Sequence, residues 1–378
     1  MYPVVWQGIE GAMSERDNQK NKEAADQKEN QMKKQIGDHI VNQTDDRPEN
    51  QIEMNIVAAV NDKFVKPLKV MLYSLACNTE RELKIYLMYC DLSEKNIVIL
   101  QRFVQEKCHG QLIPVPVDQN AFREHDATKS MFSVETFYRL FIPYLLPEDV
   151  NRALWLDADM IVCGNIDDFY DSSFYWPEET GCGEDSECAQ QNSKSGRTMH
   201  EQASLSRQVP GKEALLVAAW NDRDREKFHE YKERLGEDLK ADAYFNSGVV
   251  LYNIPAIRRR LTPEEIMEFW HTRQPKLKFL DQDILNCLFG TETILKDSTI
   301  YNNQAHADED AKEQLKKARV IHYITYRKPW KLYYEGSGDR IFWNYARKCG
   351  FMGEYLGYRL LHGPVMVVYR IYKRVRYH

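Results

Sequence analysis

From residue 55 onward, short apolar runs alternate with longer stretches of helical spacing. Residues 55–60 (Asn-Ile-Val-Ala-Ala-Val) are closed by Asn61 and Asp62, the pattern of a strand buried on both faces that ends at a polar tip. Residues 67–77 repeat at helical spacing, with Pro67 in the first turn. Residues 83–89 predict a second strand, and 93–107 a helix with Ser93 at its N-cap. A third strand over 112–117 carries prolines, which places it near a sheet edge. An aromatic-rich helix over 135–146 stops before Pro147, and a fourth strand over 153–156 runs straight into Asp157. The alternation resumes with strands at 214–219 and 247–252 and helices at 223–235, 263–271 and 283–288. Thr262 and Pro263 mark the start of the helix at 263. Strands alternating with helices predict an α/β fold with much parallel pairing, in which ligands bind beyond the carboxyl ends of the strands.

Two stretches break the pattern. Residues 1–50 are rich in Asn, Gln, Lys, Glu and Asp and poor in aliphatics, so they predict a disordered polar segment. Residues 177–211 lack periodicity and read as an insertion. After Glu354 no acidic residue remains, while Arg359, Arg370, Lys373, Arg374 and Arg376 stand among tyrosines and aliphatics. Such a tail suits peripheral contact with an anionic membrane surface; a docked terminal helix with a solvated basic face is the alternative.

Composition narrows the class. The 378 residues carry 51 basic and 57 acidic side chains, a net charge of −6, which argues against nucleic acid as a partner. No apolar run is long enough to span a bilayer as a helix. The start lacks the basic and apolar regions of a secretory signal, and the scattered cysteines suit reduced thiols, so the expected location is cytoplasmic, with the basic tail at the inner membrane face.

The sharpest chemical feature is Leu154-Trp155-Leu156-Asp157-Ala158-Asp159. In extended backbone, residues two apart point the same way, so Asp157 and Asp159 converge at a strand end. Like charges placed so call for a hard divalent cation. His322 closes a short apolar stretch and Lys328 follows six residues later; a metal and a lysine together would neutralise a departing pyrophosphate. Taken singly, the other candidates have plain structural readings. Asp281 and Asp283 suit helix capping, Asn246 a turn, and Arg139 a snorkelling surface side chain.

In this order, six blocks resemble family 8 of the retaining glycosyltransferases. They are residues 56–65, Phe137-Tyr138-Arg139-Leu140, residues 154–159, Tyr244-Phe245-Asn246-Ser247-Gly248, residues 280–286, and His322 through Lys328-Pro329-Trp330. The likeness is nearest to bacterial lipopolysaccharide galactosyl- and glucosyltransferases and to general stress proteins. It implies a GT-A fold, a Rossmann-like nucleotide-diphospho-sugar transferase architecture with one mixed sheet. The expected domain is residues 52–335, with a C-terminal helical extension over 336–378. By the same resemblance Asp157, Asp159 and His322 would hold Mn²⁺ (or Mg²⁺), and Lys328 would bind the donor diphosphate. Ala59, Asn61 and Asp62 would line the uridine pocket, and Arg139 would contact donor sugar or phosphate. Asn246, Asp222, Asp281 and Gln282 would surround the transferred sugar.

Three positions depart from the family pattern: Asn61 where Asp is common, Phe64 where Tyr is common, and Thr325 where Gly is common. The expected function is metal-dependent transfer of a hexose from UDP-glucose or UDP-galactose to a glycan or glycolipid hydroxyl, with retention. Double displacement and front-face attack both remain open at this point. A UDP-sugar-binding protein with little transferase activity is the alternative that Asn61 and Thr325 motivate. A metal-dependent phosphate hydrolase would leave five of the six blocks unexplained.

Overall fold

The structure is a computed structural model and describes residues 53–118, 134–176, 211–220, 227–304, 311–324, 328–336 and 338–377. The expectations for residues 1–50, for 177–210, and for Asp222 and Thr325 lie outside that set.

Among the described residues, ten strands form two sheets. They are β1 (Met54–Ala59), β2 (Leu83–Tyr89), β3 (Gly110–Pro116), β4 (Arg152–Leu156), β5 (Met160–Val162), β6 (Leu216–Trp220), β7 (Phe245–Asn253), β8 (Thr293–Lys296), β9 (Asn303–Gln304) and β10 (Val320–His322). The large sheet has the order β3-β2-β1-β4-β7-β6-β8, and the small one β5-β10-β9. β1 pairs in parallel with β2 and β4, and β2 with β3. β7 runs antiparallel to both β4 and β6, so the sheet is mixed. β3 stands at an edge, where its prolines do not interrupt a ladder on both sides.

The alternation along each strand explains why the central ones read as continuous apolar runs. Met54, Ile56 and Ala58 join one hydrophobic cluster, while Val57 joins the other on the opposite face. Leu154 and Leu156 divide from Ala153 and Trp155 in the same way. Helices cover both faces, so neither set of side chains meets water.

Some local expectations change in detail. Residues expected to form one helix over 135–146 form a 3-10 helix at Val134–Phe141 and a short α-helix at Ile142–Leu145. Pro143 has no N–H to return to the carbonyl of residue 139, so a regular α ladder cannot run through it. Ser93 makes no capping bond; its hydroxyl and backbone N–H donate instead to Asp62. Thr262 forms a complete capping box with Glu265. The tail forms a helix over Met352–Tyr377 that leaves Leu360, Val367, Val368, Ile371 and Val375 exposed. No helix among the described residues is long and apolar enough to cross a membrane.

Candidate active site

The topology gathers the polar ends of separated segments. β1 ends at Ala59 and β4 at Leu156, side by side and parallel, while β7 enters from the opposite direction with Asn246, Ser247 and Gly248. Asp157 N–H donates to the Gly248 carbonyl at 3.0 Å, and Tyr323 N–H donates to the Asp159 carbonyl at 3.0 Å. The register of β5 and β10 sets His322 opposite Met160, next to Asp159. Two residues distant in sequence are thus pinned to the Asp157–Asp159 turn by backbone.

The side chains then converge. His322 Nε2 lies 3.5 Å from Asp157 Oδ2 and 3.3 Å from Asp159 Oδ1. One ligand atom from each of the three lies within 4.8 Å of the others, and His322 is only 3% exposed. Two carboxylate oxygens and one imidazole nitrogen suit a divalent ion such as Mn²⁺. The other Asp159 oxygen accepts from Lys328 Nζ, which also donates to the Tyr323 carbonyl at 2.6 Å. Burial pushes the Asp159 carboxyl up, but Lys328 and His322 more than reverse this and hold it well below the usual carboxylate range.

Arg139 does not snorkel. It is 4% exposed and bridges Asp157 Oδ1 at 2.9 Å and Asp281 Oδ2 at 3.2 Å, with its guanidinium over the Trp155 ring. Asp281 also accepts from Ser247 Oγ at 3.1 Å. Burial pushes the Asp281 carboxyl up to about 6 against the pull of Arg139, with nearby Asp157 adding to the rise. Leu280, just before it, has a φ of 40°, a strained left-handed conformation that aims Asp281 and Gln282 inward. Gln282 Oε1 accepts from Asn246 Nδ2 at 2.9 Å. Neither Asp281 nor Asp283 caps its helix with the side chain; Asp283 pairs with Arg234 and Tyr244 in the core.

A cavity of about 150 Å³ opens beside the carboxylates, lined by Ala59, Asn61, Phe64, Glu135, Thr136, Arg139, Trp155, Asp157 and Asp159 among others. Asn61 donates to Glu135 Oε1 at 3.1 Å. Asp62 turns away and accepts from Ser93 and Asn96 at the start of the helix Glu94–Lys107. The structure therefore brings together Ala59, Asn61, Arg139, Asn246, Asp281, Gln282 and Lys328 around the three candidate ligands, but not Asp62. A larger cleft of about 790 Å³ lies elsewhere, between Cys163 and helices Asp339–Lys348 and Met352–Tyr377, and contains none of these residues.

The profile described as glycosyl transferase family 8 matches residues 55–333. The chain belongs to glycosyltransferase family 8. Among its relatives, the glycosyltransferase GlyA of Streptococcus pneumoniae is 24% identical over 302 residues, covering 79% of this chain and 35% of that protein. GlyE of the same organism is 24% identical over 303 residues, covering 77% of this chain and 60% of GlyE. A putative glycosyltransferase of Haemophilus influenzae is 20% identical, covering 82% of this chain and 78% of that protein. The chain thus spans about a third of GlyA and 60% of GlyE, less than two thirds of either. A solved structure of the galactosyltransferase LgtC, with donor and acceptor sugar analogues, superposes with a TM-score of 0.59 at 20% identity over 78% of this chain and 96% of that one. The crystal structure of GlyE gives 0.52 at 21% identity, over 78% of this chain and 60% of that one. The architecture of this family 8 chain is the GT-A fold.

Four residues of the site escaped the sequence reading. Glu135 and Thr136 line the cavity, Ser247 bridges Arg139 and Asp281, and Asn302 touches His322. Ser247 stood inside a quoted motif. Nothing in the spacing distinguishes Asn302 from Asn303 beside it.

Proposed function

We propose that the chain transfers glucose or galactose from a UDP-sugar to a hydroxyl of a glycan or glycolipid, with retention at the anomeric carbon and with Mn²⁺ or Mg²⁺ bound. The observation that carries this reading is the convergence of Asp157, Asp159 and His322 beside Lys328. A divalent ion held by those three supplies charge neutralisation for the departing diphosphate. Lys328 releases Asp159 and binds diphosphate oxygen as the donor enters. Ala59 and Asn61 border the uridine, with Glu135 fixing the Asn61 amide. Arg139 holds Asp157 and Asp281 at a set separation on the donor side, and Asn246 with Gln282 faces the transferred sugar. Asp222 belongs to the same sugar subsite in this reading.

The test is UDP release from a panel of UDP-sugars, with and without Mn²⁺, for wild type and Asp159→Ala. Metal-dependent release that favours one sugar and disappears in the variant is the expected result. Metal-dependent UDP binding with no turnover on any donor would move the reading to a UDP-sugar-binding protein.

The C-terminal helix extends the proposal to a membrane. Its exposed Leu360, Val367, Val368 and Ile371 interleave with Arg359, Arg370, Lys373 and Arg374, and no acidic residue follows Glu354. This composition supports contact with an anionic bilayer surface at the inner membrane face. Truncation before Leu360 should abolish sedimentation with anionic vesicles; unchanged partition would sink the idea.

A further inference from the structure

Asn302 joins the two halves of the site. Its side chain is 1% exposed. Oδ1 lies 2.9 Å from His322 Nδ1, and Nδ2 donates to Asn246 Oδ1 at 2.9 Å. Asn246 Nδ2 donates in turn to Gln282 Oε1 at 2.9 Å.

Two backbone amides fix the sense of this chain. Gly248 N–H donates to Asn246 Oδ1 at 3.0 Å, and Ser247 N–H donates to Gln282 Oε1 at 3.3 Å. A backbone N–H can only donate, so both receiving atoms are oxygens rather than flipped amide nitrogens. Asn302 must then turn its NH₂ toward Asn246, and its oxygen toward His322. That oxygen can only accept, so His322 Nδ1 carries a hydrogen. Nε2 faces Asp157 Oδ2 and Asp159 Oδ1 at 3.5 and 3.3 Å, to which it donates when it carries a second hydrogen and presents a lone pair when it does not. A lone pair facing two carboxylates is repulsive unless a cation lies between them.

We propose that Asn302 is a positioning residue. Anchored by the backbone amides of Ser247 and Gly248, it locks His322 in the Nδ1–H tautomer and ties the metal ligand to the Asn246–Gln282 pair. The metal part rests on the proposed transferase reading; the tautomer does not. The two ends of the site are coupled through three amides, so a change that turns Asn246 is felt at His322.

The experiment has two readouts besides turnover. The first is the ¹⁵N spectrum of histidine-labelled, metal-free wild type, which reports the hydrogen on each ring nitrogen separately. The His322 signals, assigned by their loss in His322→Gln, should show a protonated Nδ1, whether or not Nε2 also carries a hydrogen. A protonated Nε2 with a bare Nδ1 overturns the lock without requiring any variant to fold. The second is Mn²⁺ affinity by calorimetry. Asn302→Ala should weaken it about 10–100-fold, the usual effect of removing a partner that orients a ligating histidine. Asn302→Asp keeps an acceptor for Nδ1–H but cannot donate to Asn246, so it should retain Mn²⁺ binding and lose UDP-sugar turnover. Asn302→Ala that keeps the wild-type circular dichroism and binds Mn²⁺ as tightly as wild type overturns the positioning role. A wild type with the Nδ1–H tautomer that takes up no Mn²⁺ supports the lock and overturns the metal reading beneath it.

Discussion

Arg139 Nη2 lies 2.9 Å from Asp157 Oδ1, with the guanidinium buried and the carboxylate half-buried. The same guanidinium reaches Asp281 and both oxygens of Ser247, so one cation compensates two carboxylates on different segments. Removing it leaves two buried charges facing each other. Arg139→Ala should therefore cost about 3–5 kcal/mol of unfolding free energy, the scale for breaking a buried ion pair. Arg139→Lys should recover only part of this, because an ammonium cannot serve three partners in a plane. Urea unfolding of the three proteins checks it; an alanine variant as stable as wild type would show that the pairs contribute no net stability.

Gly248 stands against His322, a candidate metal ligand. A Cβ there would lie 2.5 Å from His322 Cε1, 2.7 Å from Met160 Cε and 2.9 Å from Asn246 Oδ1. The Met160 methyl can swing aside, but His322 and Asn246 are held by Asn302. Gly248→Ala should destabilise by about 1–3 kcal/mol, the cost of overpacking, and should weaken Mn²⁺ binding by displacing the imidazole. Thermal unfolding and Mn²⁺ calorimetry measure the two effects. Wild-type values for both would mean that the site yields without cost.

These contacts separate what was legible in the sequence from what was not. The central strands were legible because period two and burial on both faces leave unbroken apolar runs, as at Ile56–Ala58, whereas β8 and β9 were not read. Asp157 and Asp159 were legible because two acids between apolar strands contradict a buried environment unless something cationic intervenes. Arg139 was misleading by itself: in a helical pattern a buried arginine and a snorkelling one look the same, and only the register of β4 against β7 delivers its partners. Asp62 was ambiguous for a related reason. It sits where a ligand contact is expected, but the helix at Glu94 offers it three donors first. Asn302 was invisible because its value comes from hydrogen-bond direction, which depends on two backbone amides 54 and 55 residues away in sequence.

Asp281 predicts a pH dependence. Its folded-state carboxyl is pushed up to about 6 by burial, from an ordinary 3.8. A raised acid binds its proton more tightly in the folded state. That stabilisation is complete below the unfolded value and is lost as pH rises through the folded one. Relative to Asp281→Asn, the metal-free wild type should gain stability on acidification from pH about 7 to about 4, by roughly 3 kcal/mol at most. Denaturant titrations of both proteins across that window test it. A difference that stays flat, or that shrinks toward acid, would show that Arg139 rather than burial governs this carboxyl.

In the proposed reaction Lys328 distinguishes metal binding from nucleotide binding. Its ammonium sits on the outer oxygen of Asp159, while the inner oxygen faces His322. In the absence of nucleotide the lysine is a competitor, since a positive charge beside the carboxylates opposes a divalent ion. In the proposed donor complex it would have a new partner in the diphosphate. Lys328→Met should therefore leave Mn²⁺ affinity unchanged or tighter, yet weaken Mn²⁺-dependent UDP binding by about 10–150-fold, the scale of one hydrogen bond to a charged group. Asp159→Ala should lose both. Calorimetry with Mn²⁺ alone and then with UDP at saturating Mn²⁺ resolves the two steps. If Lys328→Met weakens both steps equally, the lysine acts by shaping Asp159 as a ligand, and the diphosphate role passes to another cation.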